Sequence, residues 1–383
     1  KIILLYLIVF HQSKPKKIGT LTLPLHSNYG GLLQAYALQR YLKERGHEIL
    51  VIDRQFNKKF TGPLVQLLKK TVFPSKWKHE QEQKAIRANT DYFINKYIEP
   101  KTKPYFSSEG MEAVVSGYNL DALVVGSDQV WRVDYTNAMA KDFFYAFAKN
   151  TTVQRLSYAA SFGKGEWEQP AELTGEIKNL IQKFDGVSVR EDSGVEICTK
   201  YFDKEAVRHV DPTMLLKVED YEHLAKAESE PAKDGNILVY MLDIKEDRQK
   251  VIDEVVQHVG GKTYSINKPV IKPGMTLEAK KYPTVTSWLR GFMDAEYVVT
   301  DSFHGTIFSL LFNKPFIVYG NKERGLTRFY SMLKTVGLEN RIILNSEELT
   351  QDLLQAEIDW TRVNTELEKQ RGRTDEYFSK LGI

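Results

Sequence analysis

Short apolar blocks, four to seven residues long, alternate along the chain with longer blocks whose apolar positions recur at helical spacing. After Lys17 the run IGTLTLP reads as a strand. The following GLLQAYALQRYLKERG sets Leu33, Ala37, Leu38, Tyr41 and Leu42 on one helical face, with Gly46 where a helix terminates. EILVID is the next strand, so the opening is a βαβ unit, which demands parallel strands and a right-handed crossover. Further strands are predicted at DALVVGS (121–127), RLSYAAS (155–161), GVSVRE (186–191) and VRHVDP (207–212), with a helix over about 172–184. The polar stretch AESEPAKDGN (227–236) reads as a linker. A second series follows: strands ILVYML, KTYSIN, YVVTDS and PFIVYG, and helices at EDRQKVIDEVVQHVGG, TVTSWLRGFMDA and GTIFSLLF. The charged tail beyond Leu349 reads as helix, and no repeat of fixed period is visible.

The fold class this predicts is α/β, with two Rossmann-like domains facing a central cleft. The expected domains are 17–227 and 236–346, with a helical tail, 347–383, returning to pack on the first. A length of 383 residues suits two cores rather than one. A net charge of +3 argues against nucleic acid as a partner. The single cysteine, Cys198, excludes an intrachain disulfide and any thiolate zinc cluster, and suits the cytoplasm. The histidines are scattered without an HExxH pair, so no metal site is expected.

Two segments stand apart. KIILLYLIVF at the start is too short to span a bilayer, has no small-residue cleavage site after it and does not begin with Met. It is excluded from the fold, which is taken to start near Lys16. Residues 57–87 mix basic and apolar side chains with two prolines. They read as a solvated helical excursion, with peripheral contact at the inner membrane surface or with a lipid-linked acceptor as the sharper alternative.

Open parallel sheets collect ligand-binding groups at their strand C-terminal edges. The first half delivers His26, Asn28, Gly30 and Gly31, then Ser127 and Asp128, Ser161, Arg190 and Asp211; the second delivers Asn267, Ser302, His304, Asn321, Lys322 and Arg324. NYGG has neither dinucleotide nor Walker spacing, so its glycines serve either a ligand at a helix start or simple turn chemistry. Asp128 is a candidate acid, base or hydroxyl-binding group; Ser127 and Asp128 read equally well as helix caps. Arg190 suits bidentate recognition of a carboxylate or phosphate, or a structural ion pair with Glu191, Asp192 or Asp211. His304 is expected just before the first turn of a helix, where anions are favoured, and Gly305 beside it is expected to leave room for a ligand. Lys322, Arg324 and Arg328 crowd one glycine-containing loop, and one or two of them are expected to complete a cationic pocket with Arg190.

NYGGLLQAYAL, GSDQVW, SYAASFG, SVRED, VDPTMLL and DSFHGTIFSLLFNKPFIVYGNKERGLTRF, in this order, resemble the polysaccharide pyruvyl transferase family from Lys17 to about Arg341. The resemblance implies a glycosyltransferase-B-like fold. It also implies transfer of a pyruvyl group from phosphoenolpyruvate to paired sugar hydroxyls, giving a cyclic ketal of a bacterial surface or exopolysaccharide. The family's donor-site histidine falls on His304 and its strand-end arginine on Arg190. A basic residue some twenty positions on, often lysine, falls on Arg324, with Lys322 as competitor. The expected donor pocket is thus Arg190, His304, Gly305, Lys322 and Arg324, on the side of domain 236–346. His304 is the expected acid. Asn28, Tyr29, Gly30, Ser127 and Asp128 form the expected acceptor side, with Asp128 activating a hydroxyl of a sugar or lipid-linked oligosaccharide. Phosphoenolpyruvate serves as donor substrate and no cofactor is called for. The alternatives are a nucleotide-sugar-dependent glycosyltransferase of the same architecture and a non-catalytic carbohydrate-binding subunit. Acceptor identity and oligomeric state have no readable code.

Overall fold

A computed structural model describes residues 14–56, 70–321 and 325–383. The expectations placed on Lys322 and Arg324, on 1–13 and on the 57–69 part of the basic excursion lie outside the described residues. The first lobe runs β1 (Lys17–Leu21), α1 (Tyr29–Glu44), β2 (Glu48–Val51), α2 (Pro74–Ile86), α3 (Ala88–Tyr97), β3 (Ala122–Val125) and β4 (Gln154–Ser157). It continues with α4 (Ala171–Ile181), β5 (Ser188–Val189), α5 (Asp192–Phe202), β6 (Val207–Arg208) and α6 (Val218–Ala227). Its sheet order is β2-β1-β3-β4, and every pairing is parallel. Bridges from Leu156 to Gly186 and from Ala160 to Val189 carry it on to the parallel pair β5–β6. β3 is buried along its whole length, as its unbroken ALVV run requires of a strand covered on both faces.

The second lobe contains β7 (Ile237–Tyr240), α7 (Glu246–Val259), β8 (Thr263–Tyr264), α8 (Val285–Asp294) and β9 (Tyr297–Thr300). After these come α9 (Phe303–Leu311), β10 (Phe316–Tyr319), α10 (Thr327–Val336) and β11 (Ile342–Ile343). Its sheet order is β11-β10-β9-β7-β8, again parallel throughout.

The last helix, α11 (Trp360–Lys380), lies against the first lobe. Phe378 is fully buried, with its ring 5.2 Å from Tyr158 and 5.7 Å from Tyr41. Tyr377 donates to the Ser157 carbonyl at 2.8 Å, and Arg45 pairs with Asp375 at 2.9 Å. The tail therefore clasps the lobe that the chain built first. The polar 227–236 stretch is also tied down: Lys96 bonds Glu228 at 2.7 Å, and the Lys233 amide donates to Asp294 at 2.9 Å.

Between the lobes the contact is close. Tyr29, at the start of α1, stacks on Trp288 of α8 with ring centres 5.9 Å apart, and its hydroxyl donates to the Pro283 carbonyl at 2.9 Å. Asn89 donates to the Tyr282 carbonyl at 2.7 Å, and the Tyr282 amide to Ile86 at 3.0 Å. These contacts hold one side of the interface shut and leave a cleft at the facing strand ends. Among the described residues no helix is long and apolar enough to cross a membrane.

Candidate functional site at the lobe interface

The cleft holds a cavity of about 600 Å³ whose walls come from both lobes. Asn28, Tyr29, Asp128 and Tyr135 line it from the first; Lys268, Phe303, His304 and Arg328 line it from the second.

His304 sits inside the first turn of α9 rather than ahead of it. Ser302 is the N-cap, its Oγ accepting from the Gly305 amide at 3.3 Å, so the helix begins one residue before the histidine. The imidazole crosses to the first lobe and lies on Gly30: a Cβ there would overlap the ring. Gly30, expected to admit an acceptor, is therefore the seat of His304, and only a residue without a side chain fits it. Gly305 likewise departs from expectation. A Cβ on it would collide with Thr300 Oγ1 and press on Tyr240, so its bareness serves the packing of α9 on β9 and β7 and leaves no ligand space.

Beneath the imidazole lies Asp211, fully buried. Its Oδ2 stands 2.7 Å from Arg190 Nη1 and 3.6 Å from His304 Nε2; the longer distance is an electrostatic contact rather than a hydrogen bond. Thr213 donates to Oδ1 through both its amide, at 3.0 Å, and its hydroxyl, at 2.8 Å. Burial alone would raise this carboxyl, but His304, Arg190 and the Thr213 amide hold it well below the usual carboxylate range. It is a fixed anion under the histidine.

Arg190 follows β5 and is buried, as expected of a strand-end arginine. The structural ion pair with Asp211 does form, yet it does not exhaust the side chain. Nε and Nη2 are buried without a hydrogen-bond partner among the described residues, and the Asp128 carboxylate lies 3.8 Å from Nη2. Buried donors left open in this way mark a place for an acceptor that the protein itself does not supply. Near the same Phe303 ring is Arg328, which α10 brings in. The Arg190 guanidinium stands 4.5 Å from that ring and the Arg328 guanidinium 5.3 Å. Burial, and then the neighbouring Arg190 charge, lowers Arg328 to about 10, still cationic at neutral pH. Two like charges close to one aromatic ring form a basin for a dense anion.

Asp128 follows β3 through a cis Gly126–Ser127 peptide bond and has a left-handed backbone, φ +66°. An aspartate tolerates this because its Oδ1 accepts from the next amide, Gln129 N–H, at 2.8 Å. Neither Ser127 nor Asp128 caps a helix, since the next one begins only at Val133. Ser127 is buried and donates to the Ala159 carbonyl at 2.8 Å and to Asp211 at 3.3 Å. It belongs to the polar floor and lines neither the interlobe cavity nor the first-lobe one. Asn28 caps α1 through the Gly31 amide at 3.3 Å, and Tyr29 is committed to the lobe interface. Asp128, in contrast, faces two chambers. It lines the interlobe cavity and a second one of about 400 Å³ in the first lobe, walled by Leu23, Leu25, Leu32, Phe56 and Tyr135.

Of the expected site residues, the structure brings together Arg190, His304 and Asp128. Arg328, named only among several cations of one loop, proves to be a wall of the site. Asp211 emerges as its central anion. Lys268 and Phe303 were not singled out, although the latter lies inside the SFHGT motif and the former directly after the strand-end Asn267. Among the described residues no cluster of His, Cys, Asp or Glu is arranged to hold a metal ion.

A family model described as polysaccharide pyruvyl transferase matches residues 28–323. No curated protein matches the sequence. Among solved structures, the UDP-N-acetylglucosamine 2-epimerase from Rickettsia bellii is similar over 96% of this chain and 97% of that one, with 10% identity and a TM-score of 0.52. Medicago truncatula UGT71G1, complexed with UDP-glucose, is similar over 94% of each chain, with 11% identity and a TM-score of 0.41. At such identity the likeness to the Rickettsia bellii structure is one of fold alone: two Rossmann-like domains in the glycosyltransferase-B arrangement.

Proposed function

This chain belongs to the polysaccharide pyruvyl transferase family, and from that premise we propose that it moves a pyruvyl group from phosphoenolpyruvate onto two hydroxyls of a sugar, closing a cyclic ketal. The observation that carries the reading is the buried basin in which Arg190 and Arg328 lie close to the Phe303 ring beside the His304–Asp211 pair. Phosphoenolpyruvate is a small enol ester with a carboxylate and a phosphate on one carbon. A pocket for it needs cations at close range and a proton donor near its methylene.

The steps follow from these groups. Arg190 and Arg328 hold the anionic groups, with the α9 N-terminus adding its partial positive charge. Nε2 of His304 faces Asp211, which leaves Nδ1 for the substrate. In its protonated form the imidazole, held over the Asp211 carboxylate, gives its Nδ1 proton to the methylene carbon. The carbon becomes a methyl group, and cationic character develops at the adjacent carbon. A sugar hydroxyl attacks that carbon while Asp128, facing both chambers, takes the hydroxyl proton and returns it to the histidine through solvent. The bond from the same carbon to the phosphate oxygen then breaks. A second hydroxyl closes the ring, and its proton leaves with phosphate as hydrogen phosphate. Proton transfer of this kind is worth about 10²–10⁴-fold in rate.

Exopolysaccharide or another bacterial surface glycan is the proposed product class, and the first-lobe chamber beside Asp128 the proposed acceptor seat. The test is phosphate release from phosphoenolpyruvate in the presence of oligosaccharide acceptors. His304→Ala is expected to abolish it with the melting temperature retained; near wild-type turnover would remove His304 from the chemistry. Thermal stabilisation by UDP- or GDP-sugars and none by phosphoenolpyruvate would instead favour a nucleotide-sugar glycosyltransferase.

A further inference from the structure

Lys268 follows β8 and lines the same cavity as His304 and Arg328. Its Nζ reaches across the cleft and donates to Ser27 Oγ at 3.0 Å. The ammonium stands 4.8 Å from the Tyr282 ring centre and 5.8 Å from that of Tyr29. Burial lowers its pKa, and among the described residues no carboxylate opposes that shift. A serine hydroxyl and two aromatic faces do not replace a counter-ion. An ammonium withdrawn from water in a cleft is costly unless a ligand brings the opposite charge. Its neighbour Asn267 has the complementary gap. Its Nδ2 donates to the Met241 carbonyl, while Oδ1 is buried without a donor among the described residues. An oxyanion next to a hydroxyl would satisfy both residues at once.

We propose that Lys268 is a phosphoryl-binding residue of the cleft, its ammonium leaving Ser27 to pair with a phosphate oxyanion. The inference rests on the cleft being the substrate site, as in the proposed function. Two sources share this chemistry: the phosphate of phosphoenolpyruvate, and a phosphate through which an acceptor sugar is carried. Arg328 lines the cavity with Phe303, backed by the buried Arg190, and Lys268 adds a cation from a different element.

The test titrates inorganic phosphate and, separately, phosphoenolpyruvate into the wild type and three variants, with melting temperatures as the check on folding. Lys268→Met is expected to weaken inorganic phosphate binding by about tenfold or more, the worth of one charge-assisted contact. Lys268→Arg is expected to recover most of that loss, and Ser27→Ala to leave phosphate affinity unchanged. If the donor is the source, phosphoenolpyruvate weakens in parallel with phosphate. If the acceptor is the source, phosphoenolpyruvate affinity is kept, and KM rises for a sugar-phosphate acceptor but not for its dephosphorylated form. Equal phosphate affinity in the wild type and Lys268→Met overturns the proposal, as does a wild type that binds no phosphate. Ser27→Ala reproducing the loss also overturns it, because the lysine would then be a staple between the lobes. Phosphate binding lost in Lys268→Met, in a protein that never turns over phosphoenolpyruvate, would sink the pyruvyl reading and keep this one.

Discussion

His304 takes its position from three neighbours, each acting differently. Ser302 sets the start of α9, Asp211 supplies a fixed negative charge below the ring, and Gly30 leaves the space in which the ring lies. The last of these is the most exposed to test, because it comes from the opposite lobe and has no chemistry of its own. A methyl group at Gly30 must push the imidazole aside. Gly30→Ala is therefore expected to lower kcat by about 100-fold, the typical penalty for a catalytic group misplaced by an ångström. KM for phosphoenolpyruvate and the melting temperature should change little. Steady-state kinetics with a thermal melt would check this. Wild-type kcat in the alanine variant would mean that the imidazole position does not matter. The sequence showed that two glycines open a helix here, but not which of them was needed, since the overlapping atom lies more than 270 residues away.

At the scale of elements, α11 and the β6 edge meet over a buried histidine. His209 bonds Ser188 through Nδ1 at 2.9 Å and lies against Tyr158 and Tyr377, with ring centres 5.7 and 4.8 Å away. Burial, the largest influence, lowers its pKa to about 4. The unfolded chain has an ordinary histidine near 6.5, so it binds the proton first as the pH falls. The folded-state pKa is the depressed one. The stability that neutral burial contributes is thus fully present above about 6.5 and lost progressively toward about 4, amounting to about 3 kcal/mol. Urea unfolding of the wild type and His209→Gln at neutral pH and near pH 4.5 would measure it. The wild type is expected to lose more stability on acidification than the variant; parallel losses would show that His209 is not the sensing group. The helix of the charged tail was legible in the sequence, and so was the strand rhythm of both lobes. Their parallel registers follow from the βαβ pattern. What the pattern could not show was that the polar stretch at 227–236 is pinned through Glu228 and Lys233, because short polar runs look alike whether bonded or free.

For the whole molecule, the proposed reaction depends on two lobes meeting in one register. Tyr29 on Trp288 and Asn89 on Tyr282 fix that register, and it carries the polar edge of the first lobe to the α9 N-terminus of the second. Sequence periodicity describes each lobe well and says little about their contact. That is why Arg190 and His304 were legible at their strand ends while Arg328, Asp211 and Lys268 took on meaning only when the lobes came together. The expectation that Gly305 opens a ligand space failed for a reason within one lobe: Tyr240 and Thr300, which fill it, come from β7 and β9 beneath α9. In the proposed reaction this interface breaks the bond between carbon and phosphate oxygen in phosphoenolpyruvate and joins the three-carbon unit to a sugar. Phosphoenolpyruvate labelled at its bridging oxygen, incubated with the protein and an oligosaccharide acceptor, tests it most directly. The label is expected in released phosphate, with a ketal on the sugar by mass spectrometry, both lost in His304→Ala; label retained in free pyruvate, with an unmodified sugar, would contradict the pyruvyl-transfer reading.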